Sequence, residues 1–328
     1  MNLPEGVVSI RSGQQAACDE IVRQFNNGSK VVMLDAPTGS GKTLIGDLVR
    51  QSLDGSKTTR GLYLCSTLAL QEQFARDYPG AAVLRGRSNY ATADDPSRYP
   101  ELTASDCVKT KTLVPSCNSC TFGAEPVMMM HCRWCHPVHA CPYESAKALA
   151  FRSELVCSNL TYFLYESNFV GTLALNRGLI VIDEADLIED TLLDFVTVHV
   201  SERQQREYGL DPPEKKTVES SWIEWAFRAE PVLDGLQKQR WGDDLRGMRK
   251  KKSIQRLLAD VRRLTNEDDG LASGNWVYTG YDRGVIEFKP VRVDGLAGDF
   301  LWRHGKRFLL MSASMISFAV LAETLGIS

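Results

Sequence analysis

The octapeptide APTGSGKT at residues 36–43 constrains this chain more than any other segment. It follows VVMLD (31–35), a short apolar run with β-branched side chains. It precedes KTLIGDLVRQSL, whose apolar residues recur at helical spacing. A strand that turns through a glycine loop directly into a helix N-terminus is the context of a phosphate-binding loop. Gly39 and Gly41 let the backbone curl until its N–H groups face one concavity. The helix start adds a partial positive charge there. Ala36, Pro37, Thr38, Gly39, Ser40, Gly41, Lys42 and Thr43 are therefore the candidate ATP-binding residues. Lys42 is placed to reach the β- and γ-phosphates, and the Thr43 hydroxyl to bind Mg²⁺. The competing interpretation is a glycine-rich turn with an incidental lysine, and the full strand–loop–helix pattern argues against it.

GLIVIDEAD (178–186) is the clearest buried strand in the chain. Asp183 ends it, where a carboxylate can hold Mg²⁺ directly or by way of water. Glu184 beside it can orient and activate an attacking water. DEAD is also compatible with the acidic first turn of a helix. Its position after a buried strand, downstream of a phosphate loop, favours the chemical interpretation. Lys42, Asp183 and Glu184 are thus the candidate catalytic residues. Upstream, Arg11 and Gln14 in RSGQ are candidates for reading the adenine edge, because a glutamine amide offers both a donor and an acceptor. A solvated surface pair is the alternative.

GLYLCST (61–67), AAVLRG (81–86) and RFLLMSAS (307–314) supply further strands, and LALQEQFARDY (68–78) a helix. Short apolar strands alternating with helices indicate an α/β fold, a parallel sheet covered by helices. With 328 residues there is ample length for a buried core. Hydrophobic content of 43% and charged content of 24% are ordinary for a soluble protein. The net charge of −3 gives a nucleic-acid partner no global support, so such a partner needs a local basic groove. No apolar run is long enough to span a membrane, and the N-terminus lacks the pattern of a signal peptide.

Two segments interrupt the strand–helix rhythm. Residues 90 to 141 are rich in Cys, Pro, Ser and Thr, and hold six of the nine cysteines. A loop this long is functional or is held by something other than a core. CNSC and CRWC place Cys117/Cys120 and Cys132/Cys135 in a CxxC…CxxC pattern that suits zinc. Four thiolates serve a [4Fe–4S] cluster equally well. The second interruption, 187–285, is helical and charged. Within it, Lys250, Lys251, Lys252 and Arg256 form a basic stretch able to contact phosphates without sequence preference. A solvated helix face is the alternative. Trp222 and Trp225, three residues apart, suit a core.

APTGSGKT, DEAD and SAS (312–314) resemble motifs I, II and III of superfamily 2 helicases, and Arg11 with Gln14 match that family's nucleotide-sensing Q motif. GRSNY (86–90), CPYESAK (141–147) and CSNLTYFL (157–164) resemble, more narrowly, the iron–sulfur branch that includes XPD and DinG. The resemblance implies a RecA-like P-loop sheet flanked by helices. That motor domain would span 1–89, 146–186 and 286–328. A cysteine-rich metal or cluster insertion would occupy 90–145, and a helical arch 187–285. It implies an ATP-dependent DNA helicase moving 5′→3′ on single-stranded or forked DNA, with Ser312, Ala313 and Ser314 coupling hydrolysis to movement. Arg85, Arg87, Asn89 and Tyr90 around GRSNY are further candidates for DNA contact, Tyr90 by stacking on a base. Cys107, Cys117, Cys120 and Cys141 follow the branch's ligand order, against the zinc set that uses Cys132 and Cys135. The implied cofactors are ATP, Mg²⁺ and a [4Fe–4S] cluster, with Zn²⁺ as the alternative.

Three departures stand beside the resemblance. The branch carries a cysteine just after GRxNY, and this chain reads YATADD. Motif II ends in Asp186, where the branch has histidine. The sequence stops after motif III, before any second RecA-like domain. The expectation is thus a monomeric piece of a longer cytoplasmic motor, bacterial or phage-borne, whose second domain is covalently linked. A P-loop ATPase without unwinding activity, and a zinc-binding DNA- or protein-interaction module with a vestigial ATPase, are the alternatives.

Overall fold

The structure is a computed structural model that describes residues 8–54, 59–91, 103–105, 109–113, 128–132, 142–241, 245–282, 284–314 and 317–327. The chain forms two compact units. The first holds Met1–Ile188 and Gly298–Ala322, and the second Glu189–Ala297 with Glu323–Gly326.

In chain order the first unit contains α1 (Ser12–Asn26), β1 (Val31–Asp35), α2 (Lys42–Ser52), β2 (Gly61–Cys65), α3 (Leu68–Asp77) and β3 (Ala82–Val83). The antiparallel pair β4 (Lys109–Leu113) and β5 (Met128–Cys132) follows. Next come α4 (Pro142–Arg152), β6 (Leu155–Asn159), α5 (Leu160–Phe169) and β7 (Leu179–Asp183). Then α6 (Ile188–Val196), β8 (Val198–Val200), α7 (Glu202–Tyr208), α8 (Glu219–Lys238), α9 (Leu245–Leu264), β9 (Trp276–Asp282), β10 (Val285–Pro290) and α10 (Asp294–Phe300) lead out to the second unit and back. The chain ends with β11 (Phe308–Ser312) and α11 (Phe318–Thr324).

Six strands form one all-parallel sheet in the order β1-β11-β7-β2-β6-β3. The apolar runs β2, β7 and β11 are buried nearly throughout, as strands covered on both faces must be. Ile45, Leu48 and Val49 of α2 pack with Tyr63, Val181, Leu309 and Met311. Each such side chain contributes about 1.5–3 kcal/mol by leaving water. The register matters more for function. Asp35 pairs with Ser312, and Met311 with Asp183. The carboxyl ends of β1, β11 and β7 therefore finish level, where ligands bind in open α/β sheets.

The sheet includes β6, which the sequence carried only as part of CSNLTYFL, and it reduces the AAVLRG run to the two residues of β3.

The second unit is not purely helical. β8, β10 and β9 form a three-stranded antiparallel sheet, and β10 runs past the boundary at 285. On α9, Ile254, Leu257, Leu258, Val261 and Leu264 recur at helical spacing and are all buried, which leaves Lys251, Lys252, Arg256 and Arg262 exposed. Trp222 and Trp225 are core residues. Trp222 stacks on Tyr278 at 4.3 Å and Trp225 on Phe288 at 5.7 Å.

Candidate nucleotide site

The glycine loop joins β1 to α2. Gly39 and Gly41 adopt φ of 80° and 84°, a left-handed conformation that L side chains rarely take. Gly41 is the N-cap of α2, so Lys42 and Thr43 open the helix where its unpaired amides face outward. Lys42 donates from Nζ to the Ala36 carbonyl at 3.2 Å, folding its ammonium back over the loop.

Gln14 on α1 is buried and grips this loop. Its Nε2 donates to the Ser40 carbonyl at 2.8 Å, and its Oε1 accepts from the Arg11 amide at 3.0 Å. A Cβ on Gly41 would collide with the Gln14 amide. Arg11 is the exposed N-cap of α1. Gln14 is thus tied to the loop backbone, and Arg11 is the member of the pair that reaches solvent.

Across the cleft, Asp183 ends β7 and Glu184 sits at φ 55°, ψ 52°. A non-glycine residue in that region costs about 1–2 kcal/mol, and such outliers cluster at functional sites. The Glu184 amide donates to Asp183 Oδ1 at 3.0 Å. Its own carboxylate accepts from the hydroxyl of Ser66. Burial, reinforced by Asp183 and Asp186 and opposed by Lys42, raises the Glu184 carboxyl above the ordinary range. Asp186 accepts from the Ser312 hydroxyl and, at 3.3 Å, from that of Ser314. The last acidic residue of DEAD is therefore hydrogen-bonded directly to both serines of SAS, and Ala313 lies exposed between them. These groups line one cleft of about 860 Å³, with Thr38, Gly39, Gly41, Lys42 and Thr43 on one wall and Asp183, Glu184 and Asp186 on the other.

The donor set fits a hard divalent cation. The Thr43 hydroxyl and the Asp183 carboxylate are both oxygen donors, and both contact one intervening group, the Tyr63 hydroxyl. Tyr63 was not legible as a site residue, since in GLYLCST it reads as one more apolar strand position. Ser66 and the bonding role of Asp186 were equally hidden.

The remaining candidates lie elsewhere. The Tyr90 hydroxyl accepts from the Arg85 amide at 3.0 Å, and its ring meets Tyr143 edge-on at 5.6 Å. Arg85 pairs with Glu72 at 3.6 Å, and the Arg87 guanidinium lies 5.5 Å from the Tyr143 ring centre. In the second unit Lys250 pairs with Glu207 at 2.9 Å and covers the Trp241 ring at 4.4 Å. Lys251 and Lys252 are exposed on α9, which also carries Arg256. Cys107, Cys117, Cys120, Cys135 and Cys141 lie outside the described residues, and Cys132 ends β5. Among the described residues no group of three or more His, Cys, Asp or Glu is arranged to hold a metal ion, and Cys18, Cys65 and Cys157 are free and buried. No helix among the described residues is long and apolar enough to cross a membrane.

The family model described as the type III restriction enzyme res subunit matches residues 7–101, the segment that carries α1, the glycine loop and β2. No curated protein matches the chain. Among solved structures, an XPD helicase superposes with a TM-score of 0.51 at 15% identity, over 98% of this chain and 61% of its own. An apo XPD gives 0.43 at 15% identity, over 95% and 56%, and Xpd4 of S. tokodaii gives 0.39 at 15% identity, over 93% and 57%. This chain has the fold of the XPD helicase and spans about three-fifths of that protein's length.

Proposed function

We propose that this chain is the nucleotide-binding portion of an ATP-dependent DNA helicase or translocase, moving 5′→3′ on single-stranded or forked DNA. One observation carries the reading. A glycine loop and an Asp–Glu pair face each other across a cleft at the carboxyl ends of a parallel sheet, and the same acidic motif is hydrogen-bonded to a following Ser-Ala-Ser. In this proposal the amides of residues 39–43 bind the β- and γ-phosphates, and Lys42 swings from the Ala36 carbonyl to neutralise their charge. Thr43 and Asp183 hold Mg²⁺, which when bound draws charge from the phosphate oxygens. Glu184, released from Ser66, orients the attacking water. Asp186, Ser312 and Ser314 transmit the change of state to the rest of the motor. Arg11 contacts the base, with Gln14 bracing the loop beneath it.

DNA contacts fall to Arg85, Arg87 and the exposed lysines Lys251 and Lys252, with Lys250, Arg256 and Tyr90 beside them. The cysteine-rich segment 90–145 holds a [4Fe–4S] cluster, for which elemental analysis of iron and sulfide against zinc is the direct test. The natural protein acts in the cytoplasm as a monomer with a second RecA-like domain linked to this one.

The decisive experiment is ATP hydrolysis by the full-length protein with and without single-stranded DNA. Stimulation by DNA, lost together with nucleotide binding in Lys42→Ala, is the expected result. Hydrolysis indifferent to DNA would instead favour a P-loop ATPase that does not unwind. Robust unwinding by residues 1–328 alone would refute the requirement for a second domain.

A further inference from the structure

We propose that Tyr63 is a positioning residue for the magnesium ion, holding the Thr43 hydroxyl and the Asp183 carboxylate at a fixed spacing through a relay of two hydrogen bonds. The proposal rests on the nucleotide-binding reading above and adds a residue that none of its motifs contains. Tyr63 lies on β2, while Thr43 opens α2 and Asp183 closes β7. Its hydroxyl is 2.8 Å from Asp183 Oδ2 and 3.2 Å from Thr43 Oγ1. The side chain is 4% exposed, and its ring packs on Phe74 with 4.8 Å between centroids, so the hydroxyl has one place to be.

Hydrogen count fixes the direction of the relay. An ionised carboxylate only accepts, so Tyr63 donates its single hydrogen to Asp183. The hydroxyl of Tyr63 then has only lone pairs left for Thr43, and Thr43 must be the donor. That direction is what a cation needs. A hydroxyl ligates through a lone pair, and it cannot do so while its hydrogen points at the ion. With its hydrogen given to Tyr63, Thr43 turns its lone pairs to the cleft. Asp183 is fastened at both oxygens, Oδ2 by Tyr63 and Oδ1 by the Glu184 amide at 3.0 Å, leaving its remaining lone pairs for the same ion. Outer-shell partners of this kind set ligand orientation and metal affinity.

The test is binding of a fluorescent ADP analogue to the full-length protein across a Mg²⁺ titration and in EDTA, for wild type and Tyr63→Phe. Phenylalanine keeps the ring contact with Phe74, and Thr43 and Asp183 can both reach water in the cleft, so the variant should melt with the wild type. The expected result is a Mg²⁺ half-saturation raised about 10–100-fold, with binding in EDTA unchanged. A Tyr63→Phe protein with wild-type Mg²⁺ dependence, or with equal losses in Mg²⁺ and in EDTA, would overturn the relay. In the double variant with Thr43→Val, the loss should fall short of the product of the single losses. A full product would also overturn it. A wild-type protein that shows no Mg²⁺-dependent nucleotide binding would sink the underlying reading rather than the relay.

Discussion

Gly39 and Gly41 offer a matched pair of substitutions. Both hold a left-handed backbone, with φ of 80° and 84°, so alanine at either pays about 1–2 kcal/mol for conformation alone. They differ in what a new Cβ meets. At Gly39 there is nothing within 4 Å, whereas at Gly41 the Cβ strikes Gln14 Nε2. The glutamine can move, being the free end of a flexible side chain, but only by giving up the Ser40 carbonyl at 2.8 Å. Gln14 is buried, and stripping a buried amide of its partner costs about 1–3 kcal/mol. Gly41→Ala should therefore destabilise by about 2–5 kcal/mol and Gly39→Ala by about 1–2 kcal/mol. Urea unfolding followed by circular dichroism reads both. In a Gln14→Ala background the difference should vanish, because the collision partner is gone. Equal costs for the two alanines, within about 0.5 kcal/mol, would show that Gln14 does not brace the loop.

Glu184→Gln should leave nucleotide affinity intact and abolish turnover, and a variant that hydrolyses ATP normally would remove Glu184 from the water-activating role. Ser312→Ala deletes a hydrogen bond to Asp186, whose exposed carboxylate can reach water instead, so it should cost no more than about 1 kcal/mol in unfolding measurements, with the DNA-stimulated rate falling more than the basal rate. His304 supplies a pH dependence. Burial and the neighbouring Arg303, opposed by Glu166, lower its imidazole below the ordinary 6.5. The unfolded chain then takes up the proton first as pH falls, so stability is present above 6.5 and is lost between there and the lower folded value. Glu184 titrates in the opposite sense, so the readout is the wild-type pH slope minus that of His304→Gln. A zero difference between about pH 7.5 and 5.5 would refute it.

The glycine loop, the buried strand ending in Asp183 and the helical–apolar alternation were all legible in the sequence, because each rests on local chemistry. A glycine turn between a strand and a helix, or a carboxylate after four apolar residues, carries its meaning within about ten positions. The α/β class followed from the same local patterns. Strand order did not. β11, more than 260 residues after β1, inserts between β1 and β7 and brings Ser312 against Asp186. That adjacency depends on long-range pairing, which no window of sequence encodes. β6 was missed because LVCSN mixes polar and apolar residues. It is a strand because β2 and β3 flank it, and Ser158 finds a carbonyl at Leu84. The antiparallel sheet of the second unit escaped notice for a related reason, since β8 is only three residues long and its partner β10 lies more than 80 residues later.

The sequence by itself determined that this chain has a glycine loop between a strand and a helix and an acidic strand end, because loop conformation and helix polarity are properties of neighbouring residues. Only the tertiary structure decided that these two meet, that a strand from the far end of the chain separates them, and that a buried tyrosine hydroxyl stands between Thr43 and Asp183. The physical reason is that spacing across a sheet is set by strand order and register, and those are fixed by burial of the whole core at once.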